Sequence, residues 1–170
     1  TTWHASASYK VPGNVFRLHA SAGTGVKYPS FGDLYGFFIG FAPNPDLVPE
    51  EAIGYDLGLE TTLLAGRAVL DVTYFHTNLT NEISLVCPAP TFICSPINLT
   101  GPSTRQGVEV AARYLLTPQI TLGASYTYLD ASEFNGNAEV RRPPHAGRFD
   151  INYAFQQGRG AGARKVVLVD

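Results

Sequence analysis

From Ala52 to Thr61 the chain alternates at every step. The odd positions carry Ile53, Tyr55, Leu57, Leu59 and Thr61, and the even positions carry Ala52, Gly54, Asp56, Gly58 and Glu60. Two is the side-chain period of a β-strand, so one face is apolar and the other is small or acidic. A helix would place Asp56 and Glu60 on one side and set Leu57 far from Leu59, which leaves no apolar stripe. A run of this kind needs something apolar against one face and something polar against the other.

The same period recurs seven more times. Trp3, Ala5, Ala7 and Tyr9 oppose His4, Ser6, Ser8 and Lys10; Phe16, Leu18, Ala20 and Ala22 oppose Arg17, His19, Ser21 and Gly23. Leu70, Val72 and Tyr74 oppose Asp71 and Thr73, until Phe75 breaks the pattern. Val108, Val110, Ala112 and Tyr114 oppose Glu109 and Arg113; Ile120, Leu122, Ala124, Tyr126 and Tyr128 oppose Thr121, Gly123, Ser125 and Thr127. Phe149, Ile151, Tyr153 and Phe155 oppose Arg148, Asp150, Asn152 and Gln156, and residues 163–170 form a weaker eighth run. Most of these runs approach the roughly 9–11 residues of a tilted membrane-crossing strand.

The connections sort by length. Residues 11–14, 63–66, 116–118 and 157–162 are tight, while 25–51, 79–103 and 131–144 are long, and the two kinds alternate without exception. In an up-and-down antiparallel sheet this gathers the tight turns at one end and the long loops at the other. That is the layout of an outer-membrane β-barrel, and Greek-key sandwiches seldom sort their connections this way. Trp3, Tyr55, Tyr74, Tyr126, Tyr128 and Phe149 fall toward the long-loop ends, and Tyr9, Phe16, Tyr114, Tyr153 and Phe155 toward the tight turns. Two aromatic girdles account for this, as does the ordinary preference of aromatics for strands. The register turns Arg17, Asp56, Glu60, Asp71, Glu109, Arg113, Arg148 and Asp150 inward. A one-residue slip would send such charges into lipid, at about 2–4 kcal/mol for an Arg near the midplane. A dry interior is therefore excluded.

Composition narrows the function. The 170 residues are 45% hydrophobic with a net charge of −2, which gives no basic excess for nucleic acid. No run nears the roughly 20 apolar residues of a membrane helix. The chain opens inside a strand-like run without an initiator Met, which reads as a segment of something longer. Cys87 and Cys94, without nearby His partners, make a poor zinc site; a loop disulfide is expected, with two free thiols as the alternative. His4, His19, His76 and His145 are scattered and no Ser or Cys nucleophile stands in a recognisable setting, so no enzyme, cofactor or metal site is expected.

Residues 44–60, NPDLVPEEAIGYDLGLE, resemble the NP(D/N)LxPE…E(x)GxE signature of TonB-dependent outer-membrane receptors. Residues 22–36, AGTGVKYPSFGDLYG, and 141–155, RRPPHAGRFDINYAF, are similar to two further motifs of that family in the same order. Asp56 departs from the family's more frequent Glu. The resemblance implies a 22-stranded barrel in the bacterial outer membrane, of which residues 1–170 are about eight late strands, with the plug domain and the other strands outside this chain. It implies binding and import of a ferric siderophore or cobalamin, with energy relayed by the inner-membrane TonB complex through the plug.

Within that frame Asn44, Pro45, Pro49, Glu50, Gly58 and Glu60 are expected to be structural. The prolines stiffen the descent into the strand, and the two acids hold loop and lumen hydrogen bonds. Tyr35, Phe37, Phe38 and Phe41 make an apolar loop patch that suits either a ligand or packing against other loops. Arg141 and Arg142 suit an anionic chelate or plain solvation. Two other architectures fit the alternation: a small closed eight-stranded barrel and a soluble β-sandwich binding or adhesion module.

Overall fold

The computed structural model describes residues 1–13, 15–36, 40–90, 92–139, 142–154 and 165–169. In chain order the elements are β1 (His4–Lys10), β2 (Phe16–Lys27), α1 (Phe31–Tyr35), β3 (Glu50–Leu63), β4 (Ala68–Thr80), β5 (Ile83–Val86) and β6 (Ser95–Asn98). They continue as β7 (Ser103–Leu115), β8 (Ile120–Ser132), β9 (His145–Ala154) and β10 (Lys165–Val169). Eight strands form one antiparallel meander in the order β1-β2-β3-β4-β7-β8-β9-β10, and β5 pairs with β6 as a separate hairpin inside a long loop. Among the described residues no helix is long and apolar enough to cross a membrane.

Through the middle of the sheet the register keeps the charges on one face. Arg17 lies opposite Glu60, Glu60 opposite Asp71, Asp71 opposite Ala111, Ala111 opposite Ser125, and Ser125 opposite Arg148. The other face carries Leu18, Leu57, Leu59, Val72, Phe149 and Ile151, all of them exposed. Leu57 keeps 59% of its surface open, and among the described residues the buried hydrophobics are Leu47 and Leu79. A soluble sandwich would bury this apolar face under a second sheet. Among the described residues nothing covers it, as a lipid-facing wall requires. The closed eight-stranded alternative also fails, because β1 and β10 stand as the two edges of an open sheet.

Phe75 breaks the polarity pattern without breaking strand β4. It stays on the charged face, opposite Asp56 and Gly107, and a Cβ on Gly107 would meet its ring at 2.8 Å and the Tyr128 carbonyl at 2.0 Å. The glycine makes the space that the phenylalanine fills.

Tight turns close the opposite end. Between β3 and β4 a single 3-10 turn at Leu64–Gly66 takes positive φ at Leu64, Ala65 and Gly66, a twist that suits a two-stranded corner. Between β7 and β8 the Thr117 hydroxyl accepts from the amides of Gln119 and Ile120. Arg67 links the two turns by donating to the carbonyls of Leu115 and Leu116.

The outward aromatics meet histidines near the long-loop end. Tyr55 stacks on His76 with ring centroids 5.2 Å apart, and the Tyr126 hydroxyl lies 2.7 Å from His145 Nδ1. Tyr74 donates to Gln106, which donates in turn to Asp130. Phe149 sits nearer mid-strand than the sequence pattern suggests, opposite Ala124. Phe155 lies outside the described residues.

Candidate functional site

Two regions carry polar chemistry: the inward wall and the crown of long loops. On the wall Arg17 reaches one strand over and grips Glu60 with two parallel bonds, Nε to Oε1 at 3.1 Å and Nη2 to Oε2 at 2.7 Å. His19 reaches two strands over, with Nε2 2.9 Å from Asp71 Oδ2, and Thr73 donates to the other oxygen of the same carboxylate. The ring passes directly above Gly58. A Cβ there would lie 2.1 Å from His19 Cε1, so the glycine of the GLE stretch is the space through which β2 touches β4. Ser21 donates to Asp56. The serine and the histidine thus address different carboxylates.

The crown begins where α1 is capped by Ser30, whose hydroxyl accepts from the Asp33 amide while the Asp33 carboxylate accepts from the Ser30 amide. Asn44 then turns the chain. Its amide nitrogen donates to the Pro96 carbonyl at 3.1 Å, and its side-chain oxygen accepts from Asp46 N. Asn98 answers from β6. It accepts from Val48 N and donates to the carbonyls of Val48 and Asn81. Backbone bonds Ala42 N to Cys94 O and Cys94 N to Gly40 O continue the same seam. Cys87 and Cys94 are disulfide-bonded across the end of the hairpin, with their Cα atoms 4.0 Å apart. Glu50 is buried, and one of its oxygens accepts both Lys27 Nζ and the Ile83 amide, each at 2.9 Å.

At the top of β7, Arg105 faces inward and binds carboxylates from two long connections. It donates to Glu82 at 2.7 Å and to both oxygens of Glu139 at 2.8 and 2.5 Å, while Arg142 adds a second guanidinium to Glu139 at 2.8 Å. Burial pushes the Glu139 carboxyl upward. The two guanidiniums outweigh that effect and hold it below the ordinary carboxylate range.

The structure distributes the expected site residues as follows. Asn44 and Glu50 tie loops together, Glu60 pairs on the wall, and Gly58 makes room for His19. Tyr35 is exposed at the end of α1, its ring 4.8 Å from that of Phe31. Phe41 is half-buried and bridged through its backbone to Cys94, so it serves the loop seam. Phe37, Phe38 and Arg141 lie outside the described residues. Arg142 is engaged by Glu139. Sequence reasoning did not single out Arg105, Glu82, Glu139, Asn98 or Asp71 as partners. Their only signal is parity, since Arg105 and Asp71 fall on the charged face of their strands.

Residues 1–166 match the family of TonB dependent receptor-like β-barrels. The chain belongs to the TonB-dependent receptor family. It is 30% identical over 163 residues to the vitamin B12 transporter BtuB of Photobacterium profundum, covering 92% of this chain and 25% of the relative. The iron-regulated outer membrane virulence protein of Vibrio cholerae is 30% identical over 140 residues, or 74% of this chain and 20% of the relative. The chain therefore spans between a fifth and a quarter of the length of these curated relatives. Among solved structures, a double mutant of the Serratia marcescens hemophore receptor HasR, in complex with its hemophore HasA and heme, superposes with a TM-score of 0.72 at 16% identity. That match covers 91% of this chain and 30% of HasR, and it speaks for the fold alone. As a TonB-dependent receptor segment, the sheet is part of an outer-membrane barrel, in a family of receptors rather than enzymes.

Proposed function

We propose that this chain supplies wall strands and ligand-facing loops to a receptor that imports a ferric siderophore or cobalamin. The observation that carries the reading is the division of the molecule: a lipid-facing apolar surface, a polar wall behind it, and a cross-braced crown of loops. The exposed aromatics Tyr28, Phe31, Tyr35 and Phe92 on that crown give a bulky ligand apolar surface. On the wall Arg17 and Glu60 neutralise each other, and Asp71 and Asp56 are engaged by His19 and Ser21, so much of the inward polarity is already partnered within the sheet.

Further strands are needed to close the barrel, because the edges of β1 and β10 would leave backbone groups unpaired in lipid. By family resemblance these bring the total to 22, with a plug in the lumen that relays the pull of the inner-membrane TonB complex. The test is uptake by cells whose only such receptor is the intact protein, supplied with radiolabelled ferric siderophores or cyanocobalamin. Uptake of one of these that stops when the proton gradient is collapsed supports the reading. Unaltered uptake after deletion of the receptor sinks it.

A further inference from the structure

The three long loops are not joined equally. The first (28–49) and second (81–102) share a seam of backbone and amide bonds, running from Gly40–Cys94 through Asn44–Pro96 to Val48–Asn98, and closed by Glu50 on Ile83. The third forms its own turn, with Glu133 N bonded to Asn137 O, Glu139 N to Ala131 O, and a bridge between Ser132 and Ala138. Two described contacts connect that turn to the others. Phe134 packs onto Gly101, where a Cβ would meet it at 2.7 Å, and Arg105 spans from Glu82 to Glu139.

We propose that Arg105 is the positioning residue of the receptor's mouth, locking the 132–139 turn onto the paired first and second loops. The burial of both carboxylates makes the lock depend on this guanidinium. Glu82 and Glu139 are mostly buried, with side chains 14% and 11% exposed, and the second oxygen of Glu82 is buried with no hydrogen-bond partner among the described residues. Arg105 is the cation that compensates Glu82. Without it the buried Glu82 charge has no described counter-ion, a state far less favourable than hydration. The response is for the loop to open and expose the carboxylate. Glu139 differs, because Arg142 still holds it from the outer side. Arg105 therefore couples both loops to the wall, while Glu139 couples only the turn.

This asymmetry gives the test. The intact receptor in outer-membrane vesicles is followed by hydrogen exchange with mass spectrometry, which needs no ligand and is blind to whether the import reading holds. R105Q is expected to speed exchange about tenfold in both 81–102 and 132–139, with β3 and β4 unchanged. E139Q is expected to speed 132–139 alone, and R105K to restore part of the protection by keeping the charge without the two-pronged geometry. The proposal is overturned if R105Q accelerates β3 and β4 as much as the loops. It is equally overturned if E139Q leaves 132–139 at the wild-type rate, a result that decides the matter even if R105Q fails to reach the membrane.

Discussion

Strand β3 and residues 40–49, which lead into it, adjoin in sequence and are held by different forces. Along β3 the backbone pairs on both sides, with β2 and β4, and the side chains sort by parity into lipid-facing and inward sets. Along 40–49 there is no periodic pattern. The segment keeps its place through single contacts, such as Asn44 on Pro96 and Asn98 on both sides of Val48, with Leu47 buried beneath. The first kind of structure tolerates exchange of one apolar residue for another and fails when parity is violated. The second tolerates no loss of its few specific partners, yet its failure stays local. Barrel walls and receptor loops can therefore change independently, which suits a family with one scaffold and many ligands.

The sharpest break of this comparison is a charge on the wrong face. Leu57→Arg, which turns a cation to lipid, is expected to lower the stability of the intact barrel by about 2–4 kcal/mol in urea titrations in lipid bilayers. Ala111→Arg, on the inward face opposite Asp71, is expected to stay within about 0.5 kcal/mol of wild type. Equal effects would mean that the assignment of faces is wrong.

Next comes the crossing of His19 over Gly58. Gly58→Ala forces the ring away from Asp71 and is expected to cost about 1–3 kcal/mol by the same titration. In the double variant with His19→Ala the methyl meets no ring and only the movable Thr73 hydroxyl at 2.5 Å remains, so the two losses should fall short of additive. Strict additivity would deny that the glycine exists for the histidine.

Asn98→Ala tests the loop side. Losing its three bonds should raise local opening at Val48 by about 1–3 kcal/mol, read from hydrogen exchange, while strand protection is retained. A drop in global stability of the same size would erase the distinction between wall and crown.

The smallest effect is that of acid. The Glu139 carboxyl lies below its ordinary value in the folded protein, so its contribution is present above that value and fades as pH falls through the lowered one. Exchange protection of 132–139 should hold steady from neutral pH down to the ordinary carboxylate value and decline from there as pH falls to the lowered one. E139Q should show no such decline.

The strands were legible because lipid on one side and water on the other impose a two-residue period on any chain between them. That reached as far as the register, since Arg17, Glu60 and Asp71 could all face inward only one way. It stopped where the bilayer stops. β4 runs on to Thr80 and β7 begins at Ser103, beyond the alternating stretches, because backbone pairing with a neighbour continues without regard to side-chain polarity. Phe75 read as a break for a related reason: the space it fills belongs to Gly107, distant in sequence. In the crown, Asn44 and Glu50 stood out through their motif, but Asn98, Glu82 and Glu139 lie in loops with no period and had no mark. Alone, the sequence determined which residues cross the membrane, which way they face and which family they belong to, since these follow from local pattern and order. The tertiary structure alone decided that Arg105 gathers carboxylates from two loops, that His19 reaches Asp71 and that the first two loops share a seam. Each of these joins residues far apart in the chain, and a side chain finds such a partner only after the sheet has placed the strands beside one another.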